Sequence, residues 1–139
     1  NRLKIYKNGV DLGVGGSTNF AYDNNGFPNQ NVSHSWCQSG QVSNIGRAHS
    51  YGYDRYPDGL MAEFISLDGV AAAHTDFGET VGGNWVPKDP DGLTFGTNGF
   101  HLKFEDASDL GNDSSGNNND WTAANMGTDH KVTNDTPTS

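Results

Sequence analysis

The sequence predicts an all-β protein, and three observations lead to that prediction. Apolar residues do not recur at the i, i+3, i+4 spacing of an amphipathic helix in any long window. Short runs of aromatic and β-branched residues recur instead, separated by clusters of Gly, Asn and Asp. With 19 Gly and only 32% hydrophobic residues, polar turn-forming residues separate these runs. We therefore expect short strands joined by long loops.

A β-hairpin is predicted at the start of the chain. Apolar and polar residues alternate over residues 3–7, and the pattern resumes over residues 10–13. Asn8-Gly9 lies between them, and this dipeptide tolerates the positive φ angles of a type I′ turn. Residues 15–41 are rich in Gly, Asn, Gln and Ser, with isolated aromatic residues that we expect to anchor a long loop.

The middle of the chain is predicted to contain two strands. Residues 42–47 are expected to form a short strand, and a Tyr-rich turn follows at residues 51–59. Residues 59–69 are the most strongly patterned, with Leu60 and Phe64 on one face and Ile65 on the other. Apolar residues on both faces are typical of a covered, central strand.

A domain boundary is predicted at residues 83–96. Residues 70–77 form the only candidate helical turn, and Pro87 and Pro90 follow in a stretch that we expect to lie outside any sheet. Residues 99–105 then alternate cleanly and predict a new strand. We accordingly divide the chain into residues 1–82, a linker at 83–96, and residues 97–139, which end in an open linker.

Composition and charge exclude several classes of function. The formal net charge of -9 opposes binding to nucleic-acid phosphates, which requires clustered Lys and Arg. The single Cys37 cannot form an internal disulfide, and no segment approaches the ~18 apolar residues of a membrane span. The first six residues are neither a signal peptide nor a translation start, so we expect an internal segment of a longer protein.

No catalytic constellation is visible, and we expect no enzymatic activity. A glycosidase needs two carboxylates on either side of the scissile bond, and the nearest pair is Glu63 and Asp68. Five positions apart, these two would lie on opposite faces of a strand. The five histidines are scattered without the close spacing of a transition-metal site.

Tyrosines cluster in one segment together with charged residues. The cluster consists of Tyr51, Tyr53, Asp54, Arg55 and Tyr56. Aromatic rings can stack against the C–H faces of sugars, so this segment is the candidate glycan-binding patch. The alternative is that these aromatic side chains supply the core of a chain poor in aliphatic residues.

A second candidate site surrounds a Ser-Ser-Gly turn. Asp113, Asn117, Asn119 and Asp120 could offer hard oxygen ligands to Ca²⁺ from one tight loop. Ordinary turns require the same residue types, and the spacing of an EF-hand is absent. We therefore expect no cofactor, with a structural calcium ion as the alternative.

Three stretches resemble parts of concanavalin A-like, laminin-G-like and SPRY-like β-sandwiches. Residues 3–13, LKIYKNGVDLG, resemble a strand-turn-strand late in that fold, and residues 44–69, NIGRAHSYGYDRYPDGLMAEFISLDG, resemble its closing strands. Residues 99–126, beginning GFHLKFEDASDLGNDSSGNNNDW, are similar to its opening strand and turn. The resemblance implies an antiparallel jelly-roll sandwich in which the end of one unit, residues 1–82, precedes the start of another.

The succession of AHTDFGETVGGNWVPK, GTNGFHLKF, LGNDSSGNNNDW and NDTPTS resembles tail-fibre-type structural proteins of marine and cyanobacterial phages, over nearly the whole chain from Ile45. Pro57 and the Gly/Asn-rich residues 15–41 depart from that pattern. The resemblance implies a non-catalytic virion protein of a tail fibre, appendage or capsid-surface decoration. Its expected partners are other virion proteins, copies of itself as a homo-oligomer, and host-surface glycans. A lectin-like module for host recognition is the alternative, and a glycan-cleaving enzyme fragment is a third.

Overall fold

The computed structural model describes residues 4–12, 40, 42–50, 52–90 and 92–126. In chain order the strands are β1 (Tyr6–Lys7), β2 (Val10–Asp11), β3 (Ala48–Ser50), β4 (Tyr53–Arg55), β5 (Phe64–Ser66), β6 (Gly78–Val81), β7 (Asn84–Pro87) and β8 (Phe100–Leu102). They pair two by two into antiparallel sheets, and one 3₁₀ turn covers His74–Asp76. The all-β prediction is confirmed.

The chain divides into two compact units. One comprises residues 1–4 and 13–60, and the other comprises residues 5–12 and 61–139. The long loop predicted at residues 15–41 and the open linker at residues 133–139 lie outside the described residues, apart from Gly40. Within the part of the chain that the structure describes, no helix is long and apolar enough to cross a membrane.

The first unit contains the β3–β4 hairpin. Ala48 pairs with Arg55 and Ser50 with Tyr53, and Gly52 precedes β4 at φ +79°. The strand predicted at residues 42–47 was wrong, because pairing begins only at Ala48. The Tyr-rich segment, expected to be a turn, instead supplies the second strand of the hairpin.

The β1–β2 hairpin in the second unit confirms the first prediction. Asn8 and Gly9 have φ angles of 50° and 74°, as a type I′ turn requires. The backbone N–H of Leu12 donates to the carbonyl of Ile5 at 2.9 Å and closes the hairpin. A Cβ atom at Gly9 would overlap the Trp85 ring, so glycine is required there for close packing as well as for φ.

The second strand of the β6–β7 hairpin, β7, lies within the predicted linker at residues 83–96. The turn of the hairpin is Gly82-Gly83, with φ angles of 58° and 85°. The expectation that proline keeps this stretch out of a sheet was wrong for Pro87, which occupies the last strand position opposite Gly78. Proline is tolerated at such a position because the pairing ends there. The helical turn expected within residues 70–77 is present as the short 3₁₀ turn.

The buried core is small and is centred on the β5–β8 sheet. Phe64 pairs with Leu102 and Ser66 with Phe100, and the side chains of Phe100, Leu102 and Leu110 are buried. The ring of Phe64 stacks on that of Phe100 at a centroid distance of 5.9 Å. This sheet therefore fixes the position of the segments that follow β8.

Both strands of that sheet are shorter than predicted. Glu63, at φ +58°, precedes β5, and Phe104, at φ +56°, follows β8, so left-handed residues interrupt the extended backbone. Leu60 is 87% exposed, and the expectation that both faces of a long strand are covered was wrong there. The β5–β8 pairing joins residues on either side of the predicted linker. The division into parts of two sandwich domains stays a prediction.

Candidate functional site

The Tyr-rich hairpin presents its aromatic side chains to solvent. Tyr53 is 71% exposed and Tyr56 is 64% exposed, so neither supplies a core in the described structure. Tyr53 and Arg55 alternate with Asp54 along β4, which places the tyrosine and the arginine on one face and Asp54 on the other. Tyr51 lies outside the described residues.

The carboxylate of Asp54 binds Arg47, which the sequence analysis did not identify as a site residue. Arg47 donates from Nε at 3.0 Å and from Nη2 at 2.8 Å to one carboxylate oxygen of Asp54. This hydrogen bonding and the negative charge of Asp54 raise the pKa of Arg47. The pair is exposed, so it contributes little to the stability of the fold.

The predicted calcium ligands lie in one turn, at whose centre the Asp113 carboxylate accepts hydrogen bonds. Oδ1 accepts from the backbone N–H of His101 at 2.8 Å and from that of Ser115 at 2.9 Å. Oδ2 accepts from the Ser115 hydroxyl at 2.8 Å and from the backbone N–H of Asn119 at 2.9 Å. Asp113 is 7% exposed, so these protein donors replace water around a buried charge.

The two asparagines of this turn attach it to residues 96–99. Asn117 Nδ2 donates to the carbonyls of Gly96 at 2.6 Å and Gly99 at 2.9 Å. Asn119 Nδ2 donates to those of Thr97 at 3.0 Å and Gly99 at 2.9 Å. Each side chain satisfies backbone carbonyls that strand pairing leaves free. The turn is therefore fastened to the chain that leads into β8.

Asp113 is ionised more readily than a free aspartate. Its burial raises the pKa, but the hydrogen bonds from His101, Ser115 and Asn119 favour the charged form and leave the pKa below its ordinary value. Asp120 closes the turn, since its Oδ1 accepts from the backbone N–H of Asp113 at 2.9 Å. The calcium site stays a prediction; of the predicted ligand oxygens, both of Asp113 and Oδ1 of Asp120 accept hydrogen bonds from the chain.

His101 is the other buried polar side chain in the described residues. It is 3% exposed, its Nε2 has no hydrogen-bond partner, and its ring stacks on Phe95 at 6.0 Å. Burial lowers its pKa, with a smaller lowering contribution from Lys103 opposed by Glu63, Asp89 and Asp113. The imidazole is therefore neutral near pH 7 and enclosed in the core.

A cleft of about 500 Å³ lies between the β1–β2 turn and the β6–β7 hairpin. The sequence did not predict this cleft. The His74 ring stacks on Tyr6 at 4.4 Å and on Trp85 at 5.6 Å. Polar residues of the two hairpins, the 3₁₀ turn and the position after β7 complete the lining: Asn8, Thr75, Glu79, Thr80 and Lys88.

Glycines allow the Trp85 ring to lie close against the backbone. A Cβ atom at Gly78 would approach the indole to 2.7 Å, and one at Gly9 would overlap it. The contact of Gly9 with the indole has no local sequence signal, because Gly9 and Trp85 lie in different hairpins. The indole therefore packs against the backbone of both hairpins.

No group of three or more His, Cys, Asp or Glu side chains within the described ranges could hold a metal ion. Comparison with protein-family models, with curated proteins and with solved structures gives no match to this chain. The functional conclusion therefore depends on the residues and their geometry.

Proposed function

We propose that this chain is a non-catalytic structural segment of a phage virion protein, in a tail fibre, an appendage or a capsid-surface decoration. The virion assignment is supported by the sequence resemblance from Ile45 onward. The non-catalytic assignment is supported chiefly by the use made of Asp113, whose two carboxylate oxygens accept hydrogen bonds from the chain itself. A carboxylate engaged in this way fastens a turn.

We further propose that the hairpins belong to jelly-roll sandwiches completed by strands from neighbouring copies or from other parts of a longer chain. Two-stranded sheets are only marginally stable in water, and each described sheet has two strands. Large apolar side chains are exposed at Leu60, Val42 and Val81. Added strands would cover such residues, which supports a homo-oligomer such as a trimer or a filament.

The proposed location is the outer surface of the particle. The net charge of -9 suits a solvated surface and disfavours contact with the packaged nucleic acid. Its partners there are other virion proteins and further copies of the chain.

The second candidate function is a carbohydrate-binding module for host recognition. It is favoured by the exposure of Tyr53 and Tyr56, since exposed rings of this size at one hairpin are available for stacking on sugars. A glycan-cleaving enzyme is the third candidate, and loss of hydrolysis in Glu63→Gln would be its signature.

Electron microscopy of the full-length protein that contains this chain tests the structural proposal. We expect regular fibres, knobs or filaments whose repeating unit contains the chain. A monodisperse monomer that hydrolyses a glycan, with activity lost in Glu63→Gln, would contradict it. Saturable glycan binding abolished in Tyr53→Ala and Tyr56→Ala, without ordered assembly, would favour the second candidate.

A further inference from the structure

The dipeptide Asn-Gly, which specifies the turn of the first hairpin, also has a covalent chemistry of its own. It occurs three times, at Asn8-Gly9, Asn25-Gly26 and Asn98-Gly99, and the second of these lies outside the described residues. The backbone nitrogen that follows an asparagine can attack Cγ of the side-chain amide and expel ammonia, which leaves a cyclic succinimide. Glycine permits this attack because it has no Cβ atom to obstruct it. The rate therefore depends on how freely the amide and the backbone can move.

At the first site, neither reacting group is engaged by the described residues. Asn8 is exposed, and no hydrogen bond is made there by its side-chain amide or by the Gly9 N–H. The hairpin beneath the turn is short, because Tyr6–Lys7 pairs with Val10–Asp11 over two residues only. A two-stranded ladder of this length opens readily, so the turn can reach the backbone angles that ring closure requires.

At the third site, the same two groups are fixed by hydrogen bonds. Asn98 Nδ2 donates to Asp68 Oδ2 at 2.8 Å, and the backbone N–H of Asn98 donates to the same oxygen at 3.2 Å. Gly99 is buried, and its carbonyl accepts hydrogen bonds from two side-chain amides. Rotation of the Asn98 amide would break a bond to a charged acceptor, which is costlier than breaking one to a neutral acceptor. The folded chain therefore protects the third site and leaves the first site reactive.

We propose that Asn8 is a spontaneous deamidation site and that its isoaspartate product releases the β1–β2 turn from the Trp85 ring. The Gly9 nitrogen gives up its proton to solvent base and bonds to Asn8 Cγ. The Cγ–Nδ2 bond breaks, and the amide nitrogen takes a proton from water and leaves as ammonia. Water then opens the succinimide at either carbonyl. One opening gives an aspartate, and the other gives an isoaspartate, in which the main chain runs through the former side chain. The inference goes beyond the proposed virion function and does not depend on it.

The isoaspartate lengthens a turn that is closely packed. It inserts one methylene group into the backbone immediately before Gly9. A Cβ atom at Gly9 would overlap the Trp85 indole, so the backbone there already lies against the ring. A type I′ turn joins its paired strands with two residues of ordinary length, and a longer backbone must shift Gly9 relative to both strands. We therefore expect the contact between this turn and Trp85 to be lost as the protein ages.

Peptide mapping of the full chain, aged in mildly alkaline buffer, tests the site with a control inside the same molecule. A protease that cleaves before aspartate isolates the first site in residues 1–10 and the third in residues 91–105. Mass spectrometry then measures the conversion of amide to acid, and the isoaspartate product is recognised because this protease does not cleave before it. We expect Asn8 to convert at least about tenfold faster than Asn98, whose amide must first leave the Asp68 carboxylate. In denaturing urea the two rates should become similar.

Tryptophan emission tests the release of the turn. In the wild type the emission should change in step with the amount of isoaspartate. Asn8→Gly retains a dipeptide that suits a type I′ turn but has no amide, so its emission should stay constant over the same period. Freshly purified Asn8→Asp carries the added charge without the added methylene group and should have the emission of the fresh wild type. Circular dichroism establishes that each variant is folded.

Four results would overturn the inference. Conversion of Asn8 no faster than that of Asn98 in the folded chain would contradict the reactive site, as would conversion that yields no isoaspartate. Emission that stays constant while isoaspartate accumulates would contradict the release of the turn. Emission of aged Asn8→Gly that changes as much as that of the wild type would attribute the change to another part of the chain.

Discussion

Asp113→Asn should destabilise the protein by about 3 kcal/mol, because the amide cannot accept all the hydrogen bonds that the carboxylate accepts. The least costly orientation places the new amide nitrogen at the position of Oδ2. The Ser115 hydroxyl can rotate to accept from it, but the backbone N–H of Asn119 loses its acceptor. The bonds from the backbone N–H groups of His101 and Ser115 persist, now made to a neutral oxygen.

The magnitude of the destabilisation follows from one backbone N–H that loses its acceptor and two hydrogen bonds that are now made to a neutral oxygen. An unsatisfied buried N–H costs about 1–3 kcal/mol, and each bond that changes from a charged to a neutral acceptor loses about 1 kcal/mol. Burial prevents water from replacing the lost acceptor, since Asp113 is 7% exposed. A neutral amide costs less to bury than a carboxylate, and this difference offsets part of the sum and leaves about 3 kcal/mol.

Urea denaturation, followed by tryptophan emission, measures the loss. Asp109→Asn is the matched control, because Asp109 is exposed and its carboxylate accepts only a long bond of 3.3 Å from the backbone N–H of Gly111. We expect a change within about 0.5 kcal/mol for the control. A loss below about 1 kcal/mol for Asp113→Asn would refute the view that its carboxylate fastens the turn.

Acid titration gives an independent check on Asp113. Its pKa is lowered in the folded chain from an ordinary value of 3.8. The unfolded chain therefore takes up the proton first, and the stabilisation present above pH 3.8 is lost as the pH falls through the folded-state pKa. Asp113→Asn should remove this component of the acid dependence, whereas Asp109→Asn should retain it.

Three further predictions concern other elements. Because burial lowers the pKa of His101, the stability of the protein should fall as the pH drops below 6.5, by up to about 1.4 kcal/mol per pH unit. In His101→Phe, the urea midpoint should depend less on pH between 6.5 and the folded-state pKa. If the urea midpoint of His101→Phe depends on pH as steeply as that of the wild type, the inference that the buried imidazole is neutral is contradicted. Gly9→Ala should lower the thermal midpoint more than Gly82→Ala, because both have positive φ but only Gly9 lies against the Trp85 ring; equal shifts would contradict that packing. Arg47→Ala removes an exposed ion pair and should leave the thermal midpoint unchanged, so a clear decrease would argue against its surface role.

Local turn chemistry was predictable from the sequence, whereas strand pairing between distant segments was not. Asn8-Gly9 specifies its own backbone angles, so the first hairpin is present where it was predicted. The β5–β8 pairing depends on contacts between segments separated by a complete hairpin, and no local pattern encodes that register. The alternation over residues 59–69 suggested a long strand, but the left-handed backbone at Glu63 ends it early.

At the candidate sites, the sequence identified the residue types but not the contacts that these residues make. The residues around Asp113 were identified as a cluster of oxygen-bearing side chains, and the structure places them in one turn. Their hydrogen bonds to the backbone could not be predicted, because the partners at Gly96 and Gly99 approach only when the turn folds back beside β8. The Trp85 cleft likewise requires two hairpins whose contact has no local sequence signal.

Immunogold electron microscopy most directly tests the proposal of a virion structural protein. Antibodies raised against the purified chain would be applied to concentrated particles of a phage whose genome encodes the chain. We predict gold on intact particles, at regular positions along a fibre, an appendage or the capsid surface. Label confined to the particle-free fraction, with intact and disrupted particles both unlabelled, would contradict the account.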